Sequence, residues 1–340
     1  MGEKEGRKKD REDLISGETK RPEGCIPSFH IVGKSIPEAF WKAMNVVHHY
    51  GYRLRTQYDR KNPDGSFLDP EGRDARVCIE ILDPYEEPRF PAVSYCEIGK
   101  YIAEIMGAKD HLVLPVDVLL GHVKTGKRLE ATQWPYSYHQ RLFAWPLPDG
   151  SIINQAEIQL ERLAQDPITR RAIMQTGVPY IDPFLKEDLP CLREIQLRAI
   201  ESSAGELVLS MTATWRSRDL FKAWPDNVIA LTHLQRWLAD RLAEKSGRNV
   251  KVGNYTEFNG SLHLYGQDYS DKGLAEFFKN FSHFEDFEKR CLKSEDARDL
   301  LILPQLEQLL SEEEIWHFGE EQKKIIKNLI DDLKSGKYLP

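Results

Sequence analysis

The chain has 340 residues, 41% of them hydrophobic, which suffices for one large domain or two modest ones with a sizeable core. Its formal net charge of -7 argues against general nucleic-acid binding, and no apolar run approaches the ~20 residues that a membrane span needs. There is no basic-then-apolar leader, and five cysteines at scattered spacing suit reduced thiols, so a cytoplasmic α/β protein without a membrane partner is expected.

Residues 1–28 carry charge, Gly and Ser with little to bury, and read as a disordered arm. "SIPEAFWKAMNVVHHYG" then predicts a helix, with Ser35 as cap, Pro37 early and Gly51 at its close. "RVCIEILDP" (76–84) reads as a strand ended by Asp-Pro, and "VSYCEIGKYIAEIMG" (93–107) has helical spacing. "INQAEIQLERLAQDP" (153–167) is an amphipathic helix stopped at Asp166-Pro167. Two alternating strands, 192–201 and 206–214, are joined by the hairpin "SSAG". A long helix over 226–247 ends in Gly247, and residues 249–266 alternate as another strand. Beyond residue 270 the pattern is helical and charged. The elements predict an α+β fold: an antiparallel-rich mixed sheet, helices, and a helical C-terminal extension over 271–340.

Several stretches offer chemistry. "GHVKTGKR" (121–128) nearly matches a phosphate loop, but Arg128 stands where a hydroxyl must hold Mg²⁺ and no helix pattern follows, so the match reads as coincidence. No CxxC or HxxxH pair appears, and no metal site is expected. Arg170 and Arg171, and Arg216 with Ser217, are either solvated charges or forks for a phosphate dianion. His263 and Tyr265 share a strand face, as a packed aromatic pair or a polar binding pair. Asn227 stands at a helix start, where capping is the ordinary role. Cys78 and Cys96 lie in apolar-patterned elements, Cys25 beside the arm and Cys291 in the charged tail. Cys191 stands alone at an element boundary with basic residues near in sequence, as a nucleophilic thiolate requires.

Taken in order, these pieces resemble thymidylate synthase. The string runs "YHQRLFAWPLPDG" (138–150), "LERLAQDPITRRAIM" (160–174), "LPC" (189–191), "WRSRDLFKAWPDNVIAL" (215–231) and "NGSLHLYGQD" (259–268). The resemblance implies a large mixed sheet covered by helices, with residues 29–270 as the catalytic domain. By it, Cys191 adds to C6 of a pyrimidine nucleoside monophosphate, because C5 of uracil is too poor a carbon nucleophile until that addition makes an enolate. Arg216 lies near the thiolate and the phosphate, Ser217 adds a hydroxyl to the phosphate, and His263 and Tyr265 hold the sugar hydroxyl. Arg170 and Arg171 reach the phosphate in the neighbouring subunit, which implies a homodimer with shared sites. Asn227 faces the base, Asp219 binds the pterin of methylenetetrahydrofolate, the co-substrate, and Tyr138 orients proton transfer at C5. An upstream glutamate organises water; Glu104 aligns best, with Glu97 one heptad earlier. Arg60, in "YDRKNPDG", resembles a mobile phosphate-loop arginine.

The departures are specific. Leu192 replaces a His after the nucleophile, Trp215 a Gln before Arg-Ser, and Ser261 an Asp two residues before His263. The usual closing C-terminal segment is replaced by the helical extension. The expected activity is conversion of dUMP to dTMP; the alternatives are a pyrimidine nucleotide hydroxymethylase acting on dUMP, dCMP or CMP, and a non-catalytic nucleotide-binding relative.

Overall fold

The computed structural model describes residues 23–93, 97–147, 149–185 and 189–337. Most of the expected arm, residues 1–22, lies outside the described residues, as does Cys96. The strands in chain order are β1 (Ser28–Gly33), β2 (Tyr52–Leu54), β3 (Gly72–Ile81), β4 (Trp145–Pro146), β5 (Ile152–Ile153), β6 (Ile173–Gln175), β7 (Leu192–Glu201), β8 (Leu207–Trp215), β9 (Arg218–Asp219) and β10 (Val250–Leu264). The principal helices are α1 (Ile36–Tyr50), α2 (Ile98–Ile105), α3 (Val116–Thr125), α4 (Tyr138–Phe143), α5 (Gln155–Gln165), α6 (Trp224–Ser246), α7 (Gly273–Asn280), α8 (Leu303–Ser311) and α9 (Glu320–Lys334).

Hydrogen bonding orders the main sheet β1-β3-β10-β8-β7-β6, with β2 on β3 and β9 on β10; β4 and β5 form a separate ribbon. The sheet is mixed: β1 and β9 run parallel to their partners, whereas β2 with β3, β10 with β3, and β6 with β7 are antiparallel. This is the α+β class that the sequence predicts. Among the described residues no helix is long and apolar enough to cross a membrane.

The chain divides into two compact units, each of several segments. The first holds the described residues of Met1–Ser94, Trp215–Pro225 and Tyr255–Lys293. Its α1 forms as the sequence predicts: the Ser35 hydroxyl accepts from the Glu38 amide, and Gly51 ends the helix. Ile36, Phe40, Ala43 and Val47 recur at three- and four-residue spacing and are fully buried. Phe40 meets Trp224, Phe277 and Phe287 at centroid distances of 5.6, 5.8 and 5.9 Å, an aromatic core for this unit. The turn from β1 into α1 is tight: a Cβ on Gly33 would stand 2.6 Å from the Ala39 nitrogen.

The second unit holds the described residues of Tyr95–Thr214, Asp226–Asn254 and Ser294–Pro340. Leu231, Leu234, Leu238 and Leu242 form the buried stripe of α6, which stops at Gly247 in the left-handed region at φ +66. Leu207, Leu209, Met211 and Ala213 of β8 alternate inward with period two. The near-match "GHVKTGKR" is explained here: its first five residues are the end of α3, and Gly126, at φ +67, closes that helix instead of opening a phosphate-binding one.

Candidate active site

In the second unit the opening of β7 is pinned by one hydroxyl. Tyr138 Oη accepts hydrogen bonds from the Cys191 and Leu192 amides, each at 3.1 Å, while the Leu192 carbonyl accepts from the Thr176 hydroxyl. The phenol gets there because Ser137 caps α4, accepting from the Gln140 amide at 2.9 Å. Ser137 in turn donates to Asp110, which also pairs with His139 Nδ1 at 2.6 Å. Burial pushes Tyr138 up to about 12, with the Cys191 charge adding, so at neutral pH the phenol holds its proton. Cys191 is half-buried, its Sγ 3.9 Å from the Leu189 carbonyl. Two guanidiniums are anchored nearby: Arg141 at 2.8 Å and Arg193 at 3.0 Å from the buried Asp182.

Tyr138 also lines a cavity of about 680 Å³ whose wall includes Glu104, Trp134, Tyr136, Phe184, Lys127 and Arg128. A pocket of this size with several aromatic faces and two carboxyls, Glu104 and Glu130, suits a flat heteroaromatic ligand. Glu104 is pushed up by burial and pulled back by Lys109, whose ammonium is 3.6 Å away. Glu97 has another place. It is the residue before α2, not on the helix, and its carboxylate holds Lys100 at 2.9 Å.

Asp226 and Asn227 lie in the first turn of α6, which begins at Trp224. Burial pushes Asp226 up to about 7, and its Oδ1 is buried without a hydrogen-bond partner. Arg170 and Arg171 are exposed; their backbone carbonyls, not their guanidiniums, are engaged, by Gln196 at 3.3 Å and Arg162 at 2.7 Å.

In the first unit the segment after β8 is fixed by an alternation. Arg218 points inward and pairs with the fully buried Glu257, while Arg216 is exposed and Ser217 and Asp219 are half-buried. Glu257 also accepts from Trp224 Nε1 at 2.6 Å, Tyr255 Oη at 3.1 Å and Asn259 Nδ2 at 2.9 Å, so its charge is fully solvated by protein. Asp219 accepts from the Phe221 and Lys222 amides, each at 3.0 Å, yet burial pushes it up to about 6. On β10, burial takes His263 down to about 4, so it is neutral at pH 7. Its Nδ1 lies 3.3 Å from the Ser261 hydroxyl, its Nε2 is buried without a partner, and its ring meets Tyr265 at 4.6 Å. Arg60 forks onto Asp69 at 2.6 and 2.8 Å and reaches Asp271 at 3.2 Å; it holds Asp69 down at about 2. In this structure its charge is spent within the chain.

The structure therefore gathers Cys191, Tyr138, Glu104, Asn227, Arg170 and Arg171 in one unit and Arg216, Ser217, Asp219, His263, Tyr265 and Arg60 in the other. Sequence reading passed over Lys109, Tyr136 and the Asp110–His139 pair. Tyr136 had a signal, the repeated aromatic of "PYSY"; the others had none.

Residues 128–318 match the model of a family described as thymidylate synthase. The match contains Cys191, Arg216 and Asn227 and leaves Arg60, Glu97 and Glu104 outside. Two proteins named "Putative thymidylate synthase" are similar to this chain. That of Methanosarcina barkeri (strain Fusaro / DSM 804) is 24% identical over 69% of this chain and 89% of its own length. That of Methanococcoides burtonii is 25% identical over 70% of this chain and 90% of its own. Among solved structures, thermostable thymidylate synthase A from Bacillus subtilis aligns with a TM-score of 0.50 at 18% identity, covering 72% of this chain and 84% of that one.

Proposed function

Because the chain belongs to the thymidylate synthase family, we propose that it transfers a one-carbon unit from methylenetetrahydrofolate to C5 of a pyrimidine nucleotide, in the simplest case turning dUMP into dTMP. The observation that carries this reading is the thiol of Cys191 at a strand mouth whose amides converge on Tyr138, itself a wall of the Glu104 cavity.

The Cys191 thiolate adds to C6 of the base; the C5=C6 electron pair moves toward O4, and C5 becomes a carbon nucleophile. When bound, the folate supplies the carbon and, for methylation, the hydride. The aromatic wall of the cavity fits its ring system. Glu104, partly desolvated, holds or releases a proton on the O4 side of the base. Tyr138 keeps its own proton, so it serves the loss of the C5 proton by orienting an acceptor, not as a phenolate. Asn227 matches N3–H and O4 of uracil with its carbonyl and amide. Arg216 and Ser217 take the phosphate, and neutral His263 with Tyr265 takes a sugar hydroxyl. Asp219 accepts from pterin N–H groups. The exposed guanidiniums of Arg170 and Arg171 serve the phosphate of a second subunit in a homodimer.

One observation favours a second reading. Asp226, beside Asn227, keeps a proton near neutral pH and has an unpartnered buried oxygen, which suits the unprotonated N3 of cytosine. Mass analysis of the products from dUMP, dCMP, UMP and CMP with methylenetetrahydrofolate tests both. Methyl-dUMP is the expected product; a hydroxymethyl nucleotide, or turnover of the cytosine nucleotides alone, selects the alternative.

A further inference from the structure

We propose that Lys109, packed on the indoles of Trp134 and Trp316, is the positioning residue for the Glu104 carboxyl, which couples the C-terminal segment to a carboxyl of the cavity wall. The Lys109 ammonium is buried, 5.3 Å from the Trp134 ring, 4.5 Å from the Trp316 ring and 3.6 Å from Glu104 Oε2. Two π faces replace part of its hydration, and the cavity-lining carboxyl supplies the countercharge.

Trp316 is itself fixed. Its Nε1 donates to Glu312 at 3.1 Å, and its carbonyl meets His111 Nε2 at 2.7 Å. Glu312 also takes Lys100 at 3.2 Å, and Lys100 reaches Glu97. With its backbone carbonyl and its indole N–H both engaged, Trp316 keeps its place beside the ammonium, which in turn keeps one position against Glu104. The charged groups facing Glu104 are Lys109, Asp110 and Glu97; burial and the two acids raise the carboxyl, and Lys109 opposes them. Lys109 thus acts against the burial and the acids that favour the protonated carboxyl. A lysine serving only to tie down the C-terminal segment would pair with Glu312, as Lys100 does; Lys109 pairs with a carboxyl that lines the cavity. The inference rests on the proposed function only in giving Glu104 a reaction to serve.

The test is carboxyl titration by NMR of the full chain with ¹³C-labelled glutamate, the Glu104 resonance being identified by its loss in Glu104→Gln. In Lys109→Met the Glu104 midpoint is expected to rise by about one unit or more. Trp316→Leu should raise it in the same sense by less, and Lys109→Arg should restore most of the original value. An unmoved midpoint in a folded Lys109→Met protein overturns the inference. Should Lys109→Met not fold, Trp316→Leu decides alone: a raised midpoint supports the clamp and an unchanged one refutes it. A fully active Glu104→Gln enzyme would instead overturn the catalytic role given to Glu104 and leave the titration result standing, so the two failures are distinguishable.

Discussion

Glu257→Gln is the sharpest probe of how the binding segment is held. The wild-type carboxylate is fully buried and accepts from Arg218, Trp224, Tyr255 and Asn259. Glutamine keeps the shape, but it removes the countercharge of a buried guanidinium and turns one acceptor into a donor facing donors. Removing one partner of a buried pair costs about 3–5 kcal/mol, against a total stability on the order of 5–15 kcal/mol. With a urea m-value of ~3 kcal/mol/M for a chain of this size, the midpoint should fall by about 1–1.7 M. Tryptophan fluorescence is a fitting readout, since the Arg218 guanidinium lies 4.0 Å from the Trp215 ring and Trp224 bonds Glu257 directly. Because Arg218 is flanked by Ser217 and Asp219, nucleotide affinity should fall as well. The double variant Arg218→Met/Glu257→Gln should recover part of the loss, as both charges leave together while the amide oxygen still accepts from the neutral donors. A loss below about 1 kcal/mol in Glu257→Gln would refute the picture of a charge that the protein alone solvates.

Three further outcomes follow from the same geometry. Tyr138→Phe deprives the Cys191 and Leu192 amides of their shared acceptor, at about 1–3 kcal/mol for each donor left buried; thermal melting should show the loss, with turnover falling at least tenfold. Asp226 has a folded pKa of about 7, above its unfolded value of about 3.9, so its contribution to stability declines as pH rises from 4 to 7 and then levels off. Asp226→Asn should therefore melt with the parent near pH 4 and above it at pH 8; equal melting at pH 8 would contradict the burial argument. If Arg171 serves a second subunit, mixing Arg171→Ala with Cys191→Ala protein should restore activity through one intact hybrid site, and failure to complement after demonstrated subunit exchange would exclude shared sites.

What was legible in the sequence was local or ordered. Ser35, Pro37 and Gly51 bound α1 by interactions within a few residues, and the long helix ends at Gly247 for the same reason. β3 begins at Gly72, earlier than the apolar run suggests, because Arg73 and Asp74 pair with β2 and β10, which no local pattern reports. Helix α3 was invisible: Pro115 precedes it without a side-chain cap and only Leu119 is buried. The two glutamates near α2 could not be separated by spacing, since the helix start decides which of them lies on it. Lys109 was out of reach altogether. Its surroundings depend on Trp316, some two hundred residues further along, and a buried lysine leaves no periodic mark.

The most direct test of the central claim is intact-mass and peptide analysis after incubation with 5-fluoro-dUMP and methylenetetrahydrofolate. Fluorine at C5 cannot leave as a proton does, so an enzyme that adds a thiolate at C6 and a carbon at C5 stalls as a covalent complex. If Cys191 is the nucleophile, the parent protein gains the mass of nucleotide plus folate on the peptide bearing Cys191, and Cys191→Ser gains nothing. A parent that forms no adduct, or an adduct that maps elsewhere or persists in Cys191→Ser, would contradict it.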